Sequence, residues 1–413
     1  MKVLYIDGVG PFGGASRSLY EAVRALPAGS VEPHFVAVTG TVLPFYSEVA
    51  TDLIAVRGLT RFDNTRYSHY RGVRWLVLLR ELFHVPFTVY ALIAAKRRWG
   101  RFDLIHVNEV TEIIPGLLAR RVFGAPMLVH VRSLARVNER SWRCRWQNER
   151  LRRDASAVVA IDENVRATLP ADVPVDVIHN SFTPKRAKTP DTALISRLDG
   201  LRPGSLKIGF IGNLHHSKGV YDLLEAARLV KLAGRDVEFV IIGGATRADT
   251  GLKAWLLARA GLAQDVSQGF EARVAEAGVT DNFHLLGAST DIQCVFDRID
   301  VLCFPSHFDA PGRPIFEAAF SAVPSIAAID HPRPDTLVHG ETGLATPGRD
   351  PAALARAILH FADDRSEVKR MGENARELAQ RNFTPSINAR ALLDVYQRVV
   401  ASNAVGRLPA RQE

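Results

Sequence analysis

Cysteine is scarce in this chain: Cys144, Cys294 and Cys303 are the only three in 413 residues. Their spacing makes neither a disulfide framework nor a zinc site. A reducing, cytoplasmic setting is the expectation. No group of His, Cys and Asp has the spacing of a metal centre, so no metal is expected. Uninterrupted apolar runs are missing too. Trp75–Ala95 comes nearest, but Arg80, Glu81, His84 and Pro86 break it, whereas a span needs about 20 mostly apolar residues. It is not expected to cross a bilayer. Met1–Asp7 runs directly into a short apolar strand, so no secretory signal is expected at the start. No nucleic-acid-reading module or pattern of stacking aromatics is present, and no nucleic-acid partner is expected.

What is present is an ordinary globular composition, 47% apolar and 23% charged. Single cores stop growing near roughly 250–300 residues, so two domains are expected. The net charge of +8 is unevenly placed. Residues 1–183 hold 24 Lys/Arg against 17 Asp/Glu, and the remainder is nearly neutral. Within 66–101 eight basic residues and one acid, Glu81, alternate with Trp75, Leu76, Leu79, Leu82, Phe83, Phe87 and Trp99. That mixture suits the surface of an anionic membrane. A buried helix pair whose ends carry solvated arginines is the alternative.

Short apolar runs alternate with helical patterns throughout, the mark of an α/β protein with parallel sheets. Expected strands in the first half are Val3–Ile6, His34–Val38, Leu104–Val107, Met127–Val131, Ala157–Ile161 and Val175–Ile178. In the second half they are Lys207–Ile211, Glu238–Ile242, Asn282–Leu286, Val301–Phe304, Ser325–Ala328 and Gly343–Ala345. Each set supplies one doubly wound domain. The polar, proline-punctuated stretch Lys185–Pro203 reads as a linker. The boundaries expected are 1–183 and 184–385, with a helix at about 386–400 crossing back to the first domain and a frayed tail at 401–413.

Three loops follow strands. The first, Gly8-Val9-Gly10-Pro11-Phe12-Gly13, has the dinucleotide spacing, but that reading needs an acid at the end of the second strand. Val38-Thr39-Gly40 stands there, so an NAD(P)-dependent enzyme is only an alternative. Gly13 and Gly14 are read instead as allowing close approach of a donor or acceptor, with Arg17 reaching toward phosphate; a plain tight turn is the other reading. The second loop, Gly212-Asn213-Leu214-His215-His216-Ser217-Lys218-Gly219, places a lysine before a helix, a good partner for a diphosphate. The third runs from Pro305 through Asp309 and Gly312 to Glu317, two carboxylates eight residues apart across a turn-rich loop. In a doubly wound domain the last two loops share the carboxyl edge of one sheet, where ligands bind.

With these residues in view, nearly the whole chain resembles the retaining GT-B glycosyltransferases of family 4, the glycosyl transferases group 1. The carriers are Gly13-Gly14, Ile105-His106-Val107-Asn108, Val129-His130, Val177-Ile178-His179-Asn180, Gly212 through Gly219, and Pro305 through Pro324. The most specific is Gly312-Arg313-Pro314-Ile315-Phe316-Glu317-Ala318. The resemblance implies two Rossmann-like, doubly wound domains facing a cleft, the second holding a nucleotide sugar without a metal or other cofactor. It implies that Glu317 accepts from ribose hydroxyls, that Lys218 neutralises the departing diphosphate, and that backbone amides near Pro311–Ile315 assist. Asp309 aligns with an acid that contacts the transferred sugar, and His130 with a histidine beside sugar and acceptor. Two departures stand out: Asp309 is shorter than the usual Glu, and Asn213 stands where many relatives carry an arginine. Arg17 or Arg313 is the candidate substitute.

The implied reaction is transfer of a sugar to an acceptor hydroxyl with retention, in surface polysaccharide or glycolipid assembly. The acceptor expected is a saccharide or, where 66–101 touches anionic lipid, a lipid-linked saccharide at the inner face of the membrane. The rivals are a silent relative binding nucleotide or a partner protein, a glycoside hydrolase using Asp309 and Glu317, and a sugar-nucleotide epimerase. Each of the residues named also has a plain structural reading: Glu317 as a helix-dipole partner, Asp309 as a loop cap, His130 as core, Lys218 as solvated. His106, His215 and His216 are read as structural or solvated.

Overall fold

The computed structural model describes residues 1–66, 75, 77–244 and 269–405. Arg71, Arg74 and Leu76 of the basic stretch, and 406–413 of the expected tail, lie outside the described residues. The chain divides into two compact units, Met1–Phe182 with Phe383–Glu413, and Thr183–Asn382.

The first unit carries seven parallel strands: β1 Lys2–Asp7, β2 Glu32–Val38, β3 Asp52–Val56, β4 Leu104–Val107, β5 Met127–Val131, β6 Ala157–Ala160 and β7 Val175–Val177. Their order is β3-β2-β1-β4-β5-β6-β7, so the winding reverses between β1 and β4. Helices cover both faces, which is why β4 and β5 are buried at every position and, apart from His106 and His130, apolar without alternation. β3 is absent from the sequence reading. It is a half-exposed edge strand, so the chain has no need of a long apolar run there. The helix Pro385–Val405 belongs to this unit and sets Leu392, Val395, Tyr396 and Val399 into the cluster built on Val3, Tyr5 and Leu19.

The second unit carries β8 Leu206–Ile211, β9 Val237–Ile242, β10 Phe283–Gly287, β11 Val301–Phe304, β12 Ser325–Ala328 and β13 Gly343–Thr346. The order β10-β9-β8-β11-β12-β13 puts its reversal between β8 and β11. The stretch read as a linker holds a helix, Thr192–Asp199. Asp191 caps it by accepting from the Leu194 amide, and Leu194 and Leu198 pack on Val240 and Phe296. Two apolar residues four apart were too faint a period to outweigh the flanking prolines.

The stretch expected as either a membrane face or a buried helix pair is one helix, Val77–Trp99, continuous through Pro86. Among the described residues it is the one helix long and apolar enough to cross a bilayer, though only 22% of its most apolar window is buried. Glu81, Thr88, Ala91, Leu92, Ala95 and Trp99 face inward, so among the described residues this helix is buried on one side only. Outward stand Leu79, Leu82, Phe83, Tyr90 and Ile93, the first three more than 60% exposed.

Candidate active site

In the second unit the two loops read from sequence meet at the carboxyl ends of β8 and β11, the switch point where open sheets bind ligands. The His307 amide donates to the Ser217 carbonyl at 2.9 Å. The His307 ring bonds Asp222, in the first turn of the helix Val220–Leu232, at 2.7 Å. Gly219 closes the junction with φ +74°, and a Cβ there would overlap the Pro305 carbonyl oxygen. Only glycine fits both the left-handed backbone and the contact.

Lys218 precedes that glycine. Its Nζ lies 5.8 Å from the centre of the Phe304 ring and 5.2 Å from that of Phe308. No carboxylate among the described residues stands within ion-pair distance of it. Burial pulls its ammonium below the ordinary lysine value. A cation taken partly out of water and given only aromatic faces is a standing attraction for an anion. Asn213, in the same loop, is exposed.

The carboxylates of the third loop are differently placed. Glu317 is buried in the helix Arg313–Ala319 and accepts from Arg313 Nε at 3.0 Å, one turn away. Asp309 has φ 47° and accepts from the Asp330 amide at 2.9 Å. Gly312 lies against the Phe304 ring, leaving no room for a side chain. The loop offers fewer amides than the sequence implied. Pro311 and Pro314 have none, the Ile315 amide donates to the Gly312 carbonyl, and the Ile315 side chain is core.

In the first unit, the glycine loop folds onto the end of β2: the Val42 amide donates to the Gly10 carbonyl and the Phe12 amide to Thr41 Oγ1. That covers the position a dinucleotide ribose needs, against the NAD(P) alternative. Gly13 and Gly14 open the helix Gly14–Arg24 with little near them. Arg17 donates to Glu21 at 3.0 Å, one turn along the same helix.

Beneath this loop the carboxyl ends of β1, β4 and β5 are densely polar. Ser16 Oγ donates to Asp7 at 2.8 Å, and the Tyr46 hydroxyl donates to the same carboxylate. Glu112 is fully buried, and neither of its oxygens makes a hydrogen bond of good geometry. Burial, then the nearby Asp7, pushes its carboxyl well above the usual range despite Arg61. His130 is buried beside His106, ring centres 5.4 Å apart, and His106 Nδ1 lies 2.5 Å from the Tyr396 hydroxyl. Burial and the Arg132 charge hold both imidazoles well below the ordinary histidine value. A cavity lined by Arg120, Trp146 and Asp154 lies at the opposite, amino edge of this sheet, away from all these groups.

The family description "glycosyl transferases group 1" matches residues 195–378, and "glycosyl transferase 4-like domain" matches residues 13–181. The 2-deoxystreptamine glucosyltransferase of Streptomyces kanamyceticus is 30% identical over 331 residues, 74% of this chain and 79% of that one. The chain belongs to the glycosyltransferases. The lipopolysaccharide core biosynthesis mannosyltransferase LpsB of Rhizobium meliloti is 27% identical, over 71% of this chain and 79% of LpsB. Among solved structures, Anabaena HepE in complex with UDP matches with TM-score 0.71 at 20% identity, over 96% of this chain and 100% of HepE. Sucrose-phosphate synthase of Thermosynechococcus elongatus matches with TM-score 0.68 at 19% identity, over 97% and 99%. At those identities the likeness speaks to the fold, which is GT-B.

Several groups of this glycosyltransferase were invisible in its sequence. His307, Ser217 and Asp222 tie the two loops together, but His307 carried no signal beyond its place in the third loop. Phe304 and Phe308 frame Lys218, and only their closeness to the strand end hinted at it. Arg132, two residues past His130, gathers groups from three segments, and no spacing rule reports such convergence.

Proposed function

We propose that this glycosyltransferase moves a sugar from a nucleoside diphosphate to an acceptor hydroxyl with retention at the anomeric carbon. The observation that carries the reading is Lys218: a half-buried cation with no carboxylate partner among the described residues, at the switch point of its sheet. Negative charge grows on the diphosphate as the glycosidic bond breaks. A fixed positive group aimed there lowers the barrier more than it stabilises the ground state. Glu317, held in place by Arg313, accepts from the ribose hydroxyls. Asp309 contacts the transferred sugar, and the Gly312 turn brings backbone close to the diphosphate. Asn213 offers an uncharged amide to the same group. In this reading side chains and amides meet the leaving charge without a metal, and same-face attack lets a diphosphate oxygen take the acceptor's proton. An NMR spectrum of the product tests it: the donor's anomeric configuration is expected, and the inverted anomer overturns the mechanism.

The first unit supplies the acceptor side, with Gly13 and Gly14 leaving its first loop open. We propose that the outer face of the helix Val77–Trp99 lies on an anionic membrane, which makes a lipid-linked saccharide at the inner face the natural acceptor. The support is the sorting of charge. Glu81, the helix's only acid, is turned inward to accept from the Arg61 amide at 2.7 Å. Exposed Leu79, Leu82 and Phe83 stand beside Arg80 in the first turns of the helix, and Lys96, Arg97 and Arg98 stand in its last turn, with no exposed acid on the helix. Apolar burial and about 1 kcal/mol per basic residue add together at such a surface. Co-sedimentation with vesicles is expected to rise with anionic lipid content; indifference to that content overturns the membrane reading alone.

A further inference from the structure

Arg132, at the carboxyl end of β5, is buried and its guanidinium is fully directed. Nε donates to the Asn108 carbonyl at 3.1 Å and to Asn108 Oδ1 at 2.7 Å. One terminal nitrogen donates to Asn180 Oδ1 at 2.9 Å. The other lies 3.2 Å from His130 Nδ1. Its backbone amide faces Glu109 Oε1 at 3.3 Å. Anchors after β4 and after β7 therefore hold the side chain from two directions, and it has no freedom to turn from the histidine.

A guanidinium has donors and no acceptor. His130 Nδ1 must then present its lone pair, and the proton of the neutral ring sits on Nε2. That Nε2 is buried and has no hydrogen-bond partner among the described residues. A buried donor left without an acceptor is destabilising, a penalty that a ligand oxygen would relieve. We propose that Arg132 is a positioning residue that fixes His130 as the Nε2–H tautomer, a hydrogen-bond donor to a saccharide hydroxyl oxygen and not a base. The groups facing the pair agree with a neutral ring. His106 stacks on it from β4, and Tyr396 reaches His106 from the C-terminal helix. Burial, then Arg132, then His106 oppose its protonation. Tyr46, Asp7 and Glu109 act on Arg132 instead, whose own value burial lowers to about 10. The identity of the accepting oxygen rests on the transferase reading, whereas the tautomer does not.

The test is long-range proton–nitrogen NMR on the full chain labelled at histidine, with the His130 signal assigned by its loss in His130→Gln. The wild type is expected to show a protonated Nε2 and a bare Nδ1, with no titration between pH 8 and pH 5.5. Arg132→Met is expected to bring the midpoint up toward the ordinary value of about 6.5, and Arg132→Lys, which keeps a cationic donor with no acceptor, to restore the wild-type spectrum. A protonated Nδ1 in the wild type, or an unchanged spectrum in Arg132→Met, overturns the assignment. If Arg132→Met does not fold, the wild-type tautomer and its titration still decide. In transfer assays His130→Gln, which retains an N–H donor, is expected within about tenfold of wild type. His130→Ala should lose about 100-fold, roughly 2.7 kcal/mol at 1.36 kcal/mol per tenfold. Gln and Ala equally inactive would make His130 a base and overturn the proposal. Absence of any transfer by the wild type would instead sink the transferase reading and leave the NMR result standing.

Discussion

The two sheets carry their functional edges in opposite ways. In the second unit the edge is local: Gly212 through Gly219 follows β8, Pro305 through Glu317 follows β11, and one backbone hydrogen bond joins them. Its key cation is half-buried and lacks a carboxylate partner among the described residues. In the first unit the edge is assembled over long distances, His106 meeting Tyr396 290 residues away. Its charges are deeply buried and mutually constrained. The first arrangement is ready to receive a charged ligand. The second holds neutral donors in fixed positions, as suits recognition of uncharged hydroxyls.

Removing the second edge's cation should have the largest effect. Lys218→Ala is expected to lower kcat about 10²–10³-fold, the scale of losing one oxyanion-type donor, with little change in thermal stability. An equal loss from Lys218→Ala in Tm and kcat would make the residue structural. Gly219→Ala attacks the junction itself. Its left-handed φ and the contact with Pro305 should cost at least about 1–3 kcal/mol, read by chemical denaturation.

The first edge is better probed by pH. Glu112 keeps its proton in the folded protein to a pH well above the ordinary range. At low pH folded and unfolded states are both protonated. As pH rises past about 4.3 the unfolded chain releases its proton while the folded one does not, and stability falls until the folded value is reached. Glu112→Gln should remove that slope, so its gain in Tm is larger at pH 8 than at pH 4. Each 1 kcal/mol corresponds to roughly 2–4 °C. Equal Tm changes at both pH values would mean Glu112 is ionised in the fold. The smallest expected effect is that of EDTA, which should leave transfer unchanged because the second edge supplies its own positive charge. Loss of activity restored by a divalent cation would end that part of the comparison.

The contrast also explains what the sequence could show. Strands such as Val301–Phe304 and Met127–Val131 announced themselves because both faces are buried and every position but His130 is apolar. Lys218 and Asp309 could be named as candidates because the loop motifs that carry them are contiguous in sequence, and Glu317 because the same motif runs on into the helix Arg313–Ala319. Glu317's pairing with Arg313 was readable in principle as an i,i+4 pair. β3 escaped because an exposed edge strand needs little apolar sequence. The Arg132 cluster escaped for a different reason: Asn108 and Asn180 carried the family resemblance, yet nothing along the chain says that both turn toward one guanidinium.

Donor binding at the β8–β11 edge is the central claim, and thermal stabilisation by UDP- and GDP-sugars, compared between the wild type and Glu317→Gln, tests it most directly. One nucleotide should stabilise the wild type selectively, release of that nucleotide should follow slowly, and both should weaken strongly in the variant. Stabilisation of the variant equal to that of the wild type would contradict the assignment of this edge as the donor site.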